Sequence, residues 1–105
     1  MYYSKNKYFV RECIQNTLSQ LGYFYKANKA NKKKVKDYFN SLPYFFFDNE
    51  TQNLLFKTIE KSDFTSYIDK HSSFKVLCYK IYKDFCKRYD ISFSSYSEFY
   101  KDIEN

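Results

Sequence analysis

A single glycine, Gly22, and a single proline, Pro43, punctuate a chain of 105 residues. Sheet-rich domains turn sharply and often, and their turns draw on glycine and proline. Helices joined by short connections need far fewer such residues. The punctuation alone therefore favours an all-α fold. The length suits one domain with one modest core, because a chain of this size buries roughly 60–68% of its unfolded surface.

Apolar spacing places the helices. Phe9, Val10, Cys13, Ile14, Leu18 and Leu21 recur at helical intervals over residues 5–21. Ser4 suits the start, and Gly22 sits where a left-handed residue would end the helix. Residues 23–31 read as a turn. Val35, Tyr38, Phe39 and Leu42 then form an i, i+3, i+4, i+7 stripe over 32–42, and Pro43 ends it. "YFFF" at 44–47 reads as a short buried strand or a loop plugging the core. Asp48 caps a helix over 49–61 with Glu50 in its first turn, and Leu54, Leu55, Phe56 and Ile59 point inward. Ser62 or Asp63 caps a short helix holding Phe64, Tyr67 and Ile68. Ser72 or Ser73 caps a longer one over 74–89, and Ser95 with Glu98 forms a capping-box pattern before a last helix over 96–103. The expectation is an all-α, compact single domain of five to six short helices with aromatic-rich connecting loops. A basic part, 1–47, precedes a near-neutral helical scaffold, 48–105.

Charge is uneven along the chain. Residues 1–40 hold nine Lys or Arg against Glu12 and Asp37, while residues 41–105 hold nine against ten acids. The excess concentrates in "KANKANKKKVK", residues 26–36. Flexible lysines release counterions from nucleic acid without reading its sequence. Lys26, Lys29, Lys32, Lys33, Lys34 and Lys36 are therefore candidate phosphate contacts. Tyr23 and Tyr25, just upstream, are candidates to stack on unpaired bases. The bland alternative is a solvated face. A basic amphipathic segment on an anionic membrane is a third, weakened because Val35, Tyr38, Phe39 and Leu42 are needed in the core.

The chain carries 13 Tyr and 12 Phe. Consecutive rings cannot all face one side of an element. The runs Tyr2–Tyr3, Tyr23–Phe24–Tyr25 and Tyr44–Phe45–Phe46–Phe47 must therefore turn some rings away from the core. Tyr2, Tyr3, Tyr44, Phe45, Phe46 and Phe47 are candidate contacts with neighbouring proteins.

Signals for catalysis are weak. No phosphate-cradling glycine loop or HExxH motif is present, and one histidine with three cysteines lacking CxxC spacing makes no zinc set. His71 reads as a surface or C-terminal capping residue. Cys78 and Cys86, about 80° apart on a helix, read as core thiols. The acid pairs Asp63/Asp69 and Glu98/Asp102 read as solubilising. The expectation is a non-enzyme with no cofactor, no metal and no small-molecule substrate. No apolar run is long enough to span a membrane. Three unpaired thiols suit a reducing, intracellular setting, and the start lacks a signal peptide's apolar region.

Residues 81–104, "IYKDFCKRYDISFSSYSEFYKDIE", resemble the winged-helix segment of phage and plasmid primase-helicases. That resemblance implies a helix–turn–helix DNA-binding or regulatory protein using residues 74–103. The would-be recognition helix carries Glu98, Asp102 and Glu104 against Lys101, a poor complement to DNA. Across the whole chain, the dominance of Phe, Tyr, Lys, Asn and Ser resembles mitochondrion-encoded accessory proteins of ciliates. That resemblance implies a ribosomal or respiratory-assembly subunit in the mitochondrial matrix. The leading expectation is a structural subunit of a ribonucleoprotein that lays Lys26–Lys36 on RNA phosphates and packs its aromatic runs on neighbouring proteins. A helix–turn–helix regulator and a protein-only adaptor or inhibitor are the alternatives.

Overall fold

The computed structural model describes the backbone of residues 2–104 and the side chains of residues 7–104. Five helices follow in order: α1 (Tyr2–Phe24), α2 (Lys29–Ser41), α3 (Asn49–Lys61), α4 (His71–Arg88) and α5 (Tyr96–Glu104). Single 3-10 turns at Leu42–Phe45 and Phe64–Ser66 link them. Among the described residues there is no strand, so the all-α expectation holds and "YFFF" is not a strand.

The central pair is α1 and α4, which run antiparallel. At one end Lys7 Nζ donates to the Tyr89 carbonyl at 3.2 Å. At the other, the His71 ring lies 2.9 Å from the Tyr23 carbonyl. Between these ties Ile14 and Leu18 of α1 share one buried cluster with Leu77, Cys78, Ile81 and Phe85 of α4. Helix α5 lies against both and buries Phe99 and Tyr100. Helices α2 and α3 close the other side, with Phe39 beside Phe64 and Phe74 at ring centroids of 5.6 and 6.2 Å.

Local chemistry accounts for most boundaries. The Asp48 carboxylate accepts from Thr51 N at 2.9 Å, capping α3 as its sequence signal predicts. Ser95 Oγ accepts from Glu98 N at 3.3 Å at the start of α5. Asn28 caps α2 by accepting from Asn31 N at 2.8 Å. The turn is therefore shorter than residues 23–31, and α2 begins at Lys29. Pro43 does not end a helix abruptly. It sits near the start of a 3-10 turn, where its missing N–H is no loss.

Several expectations fail, among them a start of α1 at Ser4, since the helix begins at Tyr2, and a short helix reaching Ile68, since only Phe64–Ser66 form a 3-10 turn. Gly22 does not end α1, which runs on to Phe24, and no described glycine has positive φ. The left-handed residue is Asp90, at φ 59°, just past α4. There Ile91 N reaches the Cys86 carbonyl at 3.0 Å and Asp90 N the Lys87 carbonyl at 3.2 Å, closing the helix as a Schellman-type cap. Neither Ser72 nor Ser73 caps α4. The helix starts a turn earlier, at His71, with Lys70 extended before it and no side-chain cap. Phe56, expected inside, lies on the surface.

The fold is flattened, with extents of 43 × 30 × 18 Å. Its accessible surface is 6785 Å². A globular chain of this mass would expose about 6,300 Å². A slab this thin cannot enclose so many rings, and several remain on its faces.

Candidate nucleic-acid interface

At 100° per residue, Lys29, Lys32, Lys33 and Lys36 fall within about 100° of one another on α2. They repeat the i, i+3, i+4, i+7 spacing of the apolar stripe, about a third of a turn around from it. Val35 and Phe39 bury that stripe and thereby fix which way the lysines point. Lys34 lies on the other flank, on the wall of a groove between α1 and α2. Lys26 is exposed in the turn before α2, where Asn31 Nδ2 donates to its carbonyl at 2.9 Å. The six lysines thus gather around the N-terminal half of one helix, whose dipole adds positive potential there.

Two acids answer this charge. Lys33 Nζ lies 2.9 Å from Asp37, one turn along the helix. Lys32 Nζ lies 2.9 Å from Asp69, in the loop before α4. Hydrogen bonding to Asp69 holds the Lys32 ammonium above the ordinary lysine range. The same bond, helped by the charges of Lys32 and Lys36, holds the Asp69 carboxyl below the usual carboxylate range. Both pairs are exposed, so they add little stability and yield readily to a competing anion. Lys26, Lys29, Lys34 and Lys36 make no ion pair among the described residues.

Of the two tyrosines expected beside the lysines, Tyr25 is not available as a stacking platform and Tyr23 is only partly exposed. Tyr25 is buried. Its ring packs on Phe74 at 4.2 Å and its hydroxyl donates to the Ile68 carbonyl at 2.6 Å. Burial raises its phenol above the ordinary value. Tyr23 is half-buried, with the Lys75 ammonium over its ring at 5.3 Å. The exposed ring of this run is Phe24. The sequence read residues 23–31 as a turn, whereas Tyr23 and Phe24 belong to the last turn of α1 and Tyr25 follows it, so the three could not be ranked from that reading.

Of the rings expected to meet neighbouring proteins, Tyr44, Phe45 and Phe47 are exposed and Phe46 is half-buried. Tyr44 packs edge-on against Phe56 at 5.1 Å. Gln52 Nε2 donates to the Phe46 carbonyl at 3.1 Å and pins the segment to α3. Phe45, Phe46 and Phe47 line a groove with Phe9, Val10 and Cys13 of α1. Phe9, like Phe56, is an exposed ring that helical spacing had assigned to the core. The side chains of Tyr2 and Tyr3 lie outside the described residues.

The remaining chemistry is mostly internal. Cys78 and Cys86 are buried, and burial pushes the Cys78 thiol well up and that of Cys86 to about 11. His71, at the exposed start of α4, contacts a last-turn carbonyl of α1, so it serves the end of a neighbouring helix. Among the described residues no three His, Cys, Asp or Glu side chains converge as metal ligands. No described helix is long and apolar enough to cross a membrane. On α5, Glu98, Asp102 and Glu104 share the exposed face with Lys101. Comparison with protein families, with curated proteins and with solved structures found no match.

Proposed function

We propose that this chain is a non-enzymatic structural subunit of a ribonucleoprotein and contacts RNA phosphates through α2. The observation that carries this reading is the ridge of Lys29, Lys32, Lys33 and Lys36, held outward by the burial of Val35 and Phe39. From Lys29 to Lys36 the ridge spans about 10 Å along the helix axis. That length suits a few successive phosphates. Recognition by lysine alone is insensitive to base identity and strongly dependent on salt. With Tyr25 buried and Tyr23 half-buried under Lys75, contact runs along the backbone rather than through stacked bases. The compositional likeness to mitochondrion-encoded ciliate proteins supports an organellar ribosome as the assembly.

The test is affinity purification of the tagged chain from native extract, with and without nuclease. Comigration with a ribosomal subunit, lost on RNA digestion, is the expected result. A partner that survives both nuclease and high salt would point instead to a protein-only adaptor.

A further inference from the structure

From Phe9 to Phe24, helix α1 presents one uncharged face to solvent. Phe9, Cys13, Thr17, Gln20 and Phe24 follow one another at i, i+4, i+8, i+11 and i+15, within about 80° of arc. Asn16 borders them. The two end rings stand about 22 Å apart along the axis, and each overlooks a groove. Phe24, Gln20 and Thr17 line one of about 450 Å³ against α2, walled by Val35, Tyr38 and Lys34. Phe9 and Cys13 line the other, also about 450 Å³, against Phe45, Phe46, Phe47 and Asp48. The grooves lie end to end, since Cys13 and Thr17 are one turn apart on the same face.

We infer that a second copy of this chain covers this face, packed antiparallel about a two-fold axis near Asn16 and Thr17. The register sets Phe9 against the partner copy's Phe24 end and Cys13 against its Gln20. Each ring then enters a groove that the single chain leaves open. Closed two-fold pairing demands such a self-complementary surface, in which one end of the patch fits the other. Charge selects the same arrangement. Lys34 marks one end, and Asp48 and Glu50 flank Phe9 at the other, where Lys7 offsets one of the two acids and leaves that end net acidic. Antiparallel packing sets the lysine end over the acidic end, whereas parallel packing would oppose like with like. The stripe from Phe9 to Phe24 carries no charged side chain, so the chain's net charge of +6 opposes pairing only at longer range, where salt screens it.

The area agrees. Phe9, Phe24, Phe45 and Phe47 are 69, 68, 65 and 95% exposed. Together they leave on the order of 600 Å² of ring surface in water. A standard stable interface buries about 800 Å² from each partner, and these rings together with the exposed Thr17 and Gln20 between them approach that area. This surface lies on α1, the 45–47 segment and the Lys34 flank of α2, apart from the ridge of Lys29, Lys32, Lys33 and Lys36, so pairing does not require RNA contact.

Sedimentation equilibrium and native mass spectrometry of the full chain test it. The expected species is twice the 12.9 kDa chain mass. Phe9→Asp and Phe24→Asp should each weaken the dimer about tenfold or more, the scale of a central aromatic anchor, with unchanged far-UV circular dichroism. Lys34→Glu should weaken it and Glu50→Lys, added to that variant, should restore it. Gln20→Cys should give an interchain disulfide with Cys13 under mild oxidation, and Cys13→Ser should abolish that link. A wild-type chain that stays monomeric at high micromolar concentration overturns the proposal, even if it captures a different protein. So does a dimer indifferent to both phenylalanine variants.

Discussion

The Tyr100 hydroxyl fills the space beside Gly22 that a β-carbon would need, with Cys78 Cβ 3.1 Å from the same point. That hydroxyl donates to the Lys75 carbonyl, so it is held in place and cannot swing aside. Helices α1, α4 and α5 meet at this one position. The glycine serves close approach rather than helix termination.

Gly22→Ala should therefore destabilise the fold although alanine is the better helix former by about 1 kcal/mol. Overpacking at a tight core site costs about 1–3 kcal/mol, so a net loss of up to about 2 kcal/mol is expected. Tyr100→Phe removes the colliding atom. The double variant should melt above the temperature that the two single shifts predict when added.

Asp90 should respond in the opposite direction. It holds a left-handed backbone without being a glycine, a conformation that disfavours a β-carbon by about 1–2 kcal/mol. Glycine's greater chain entropy offsets part of that. Asp90→Gly should raise stability by about 0.5–1 kcal/mol, visible as a thermal midpoint several degrees higher.

Alkaline pH should unfold the protein through its buried phenols and thiols. Burial raises Tyr38 to about 12 and Cys86 to about 11, and also raises Tyr25, Tyr79, Tyr82 and Tyr100. The unfolded chain loses these protons first, near 9.0 for thiols and 10.0 for phenols. The contribution is fully present below pH 9 and is lost as pH rises through 9 to 12. Urea midpoints against pH should be flat and then fall, with tyrosinate absorbance appearing as unfolding proceeds. The Tyr38 hydroxyl is buried with no hydrogen-bond partner among the described residues. Tyr38→Phe should accordingly be neutral or stabilising.

Asp69 restrains the lysine ridge through Lys32. If α2 binds RNA, Asp69→Asn should tighten binding by freeing that ammonium for phosphate. The melting temperature should barely change, because the pair is exposed. Filter binding at fixed salt, paired with a thermal melt, separates the two effects.

What the sequence revealed depended on how local the cause was. Asp48 and Ser95 cap the helices that they mark, because a cap is written within four residues. The core stripe of α4 was legible through Phe74, Leu77, Cys78, Ile81 and Phe85 because periodicity is local too. Gly22 was misread because its reason lies across the fold, on α5, 78 positions away in the sequence. Asp90 was missed because aspartate at a left-handed cap is uncommon enough to carry no signal. At the candidate interface the lysines were legible from charge alone. Which neighbouring ring turned inward was not, since Tyr25 is set by Phe74 and Ile68 on distant segments.

The salt dependence of RNA affinity tests the central claim most directly. Single-stranded RNA should bind the wild-type chain with log K falling against log salt at a slope of about −2 to −3, as three or four neutralised phosphates require. The triple variant Lys29→Glu, Lys33→Glu, Lys36→Glu should lose most of that slope and most of the affinity at low salt, with the helical spectrum intact. A folded triple variant that binds RNA as well as wild type, with the same slope, would contradict it.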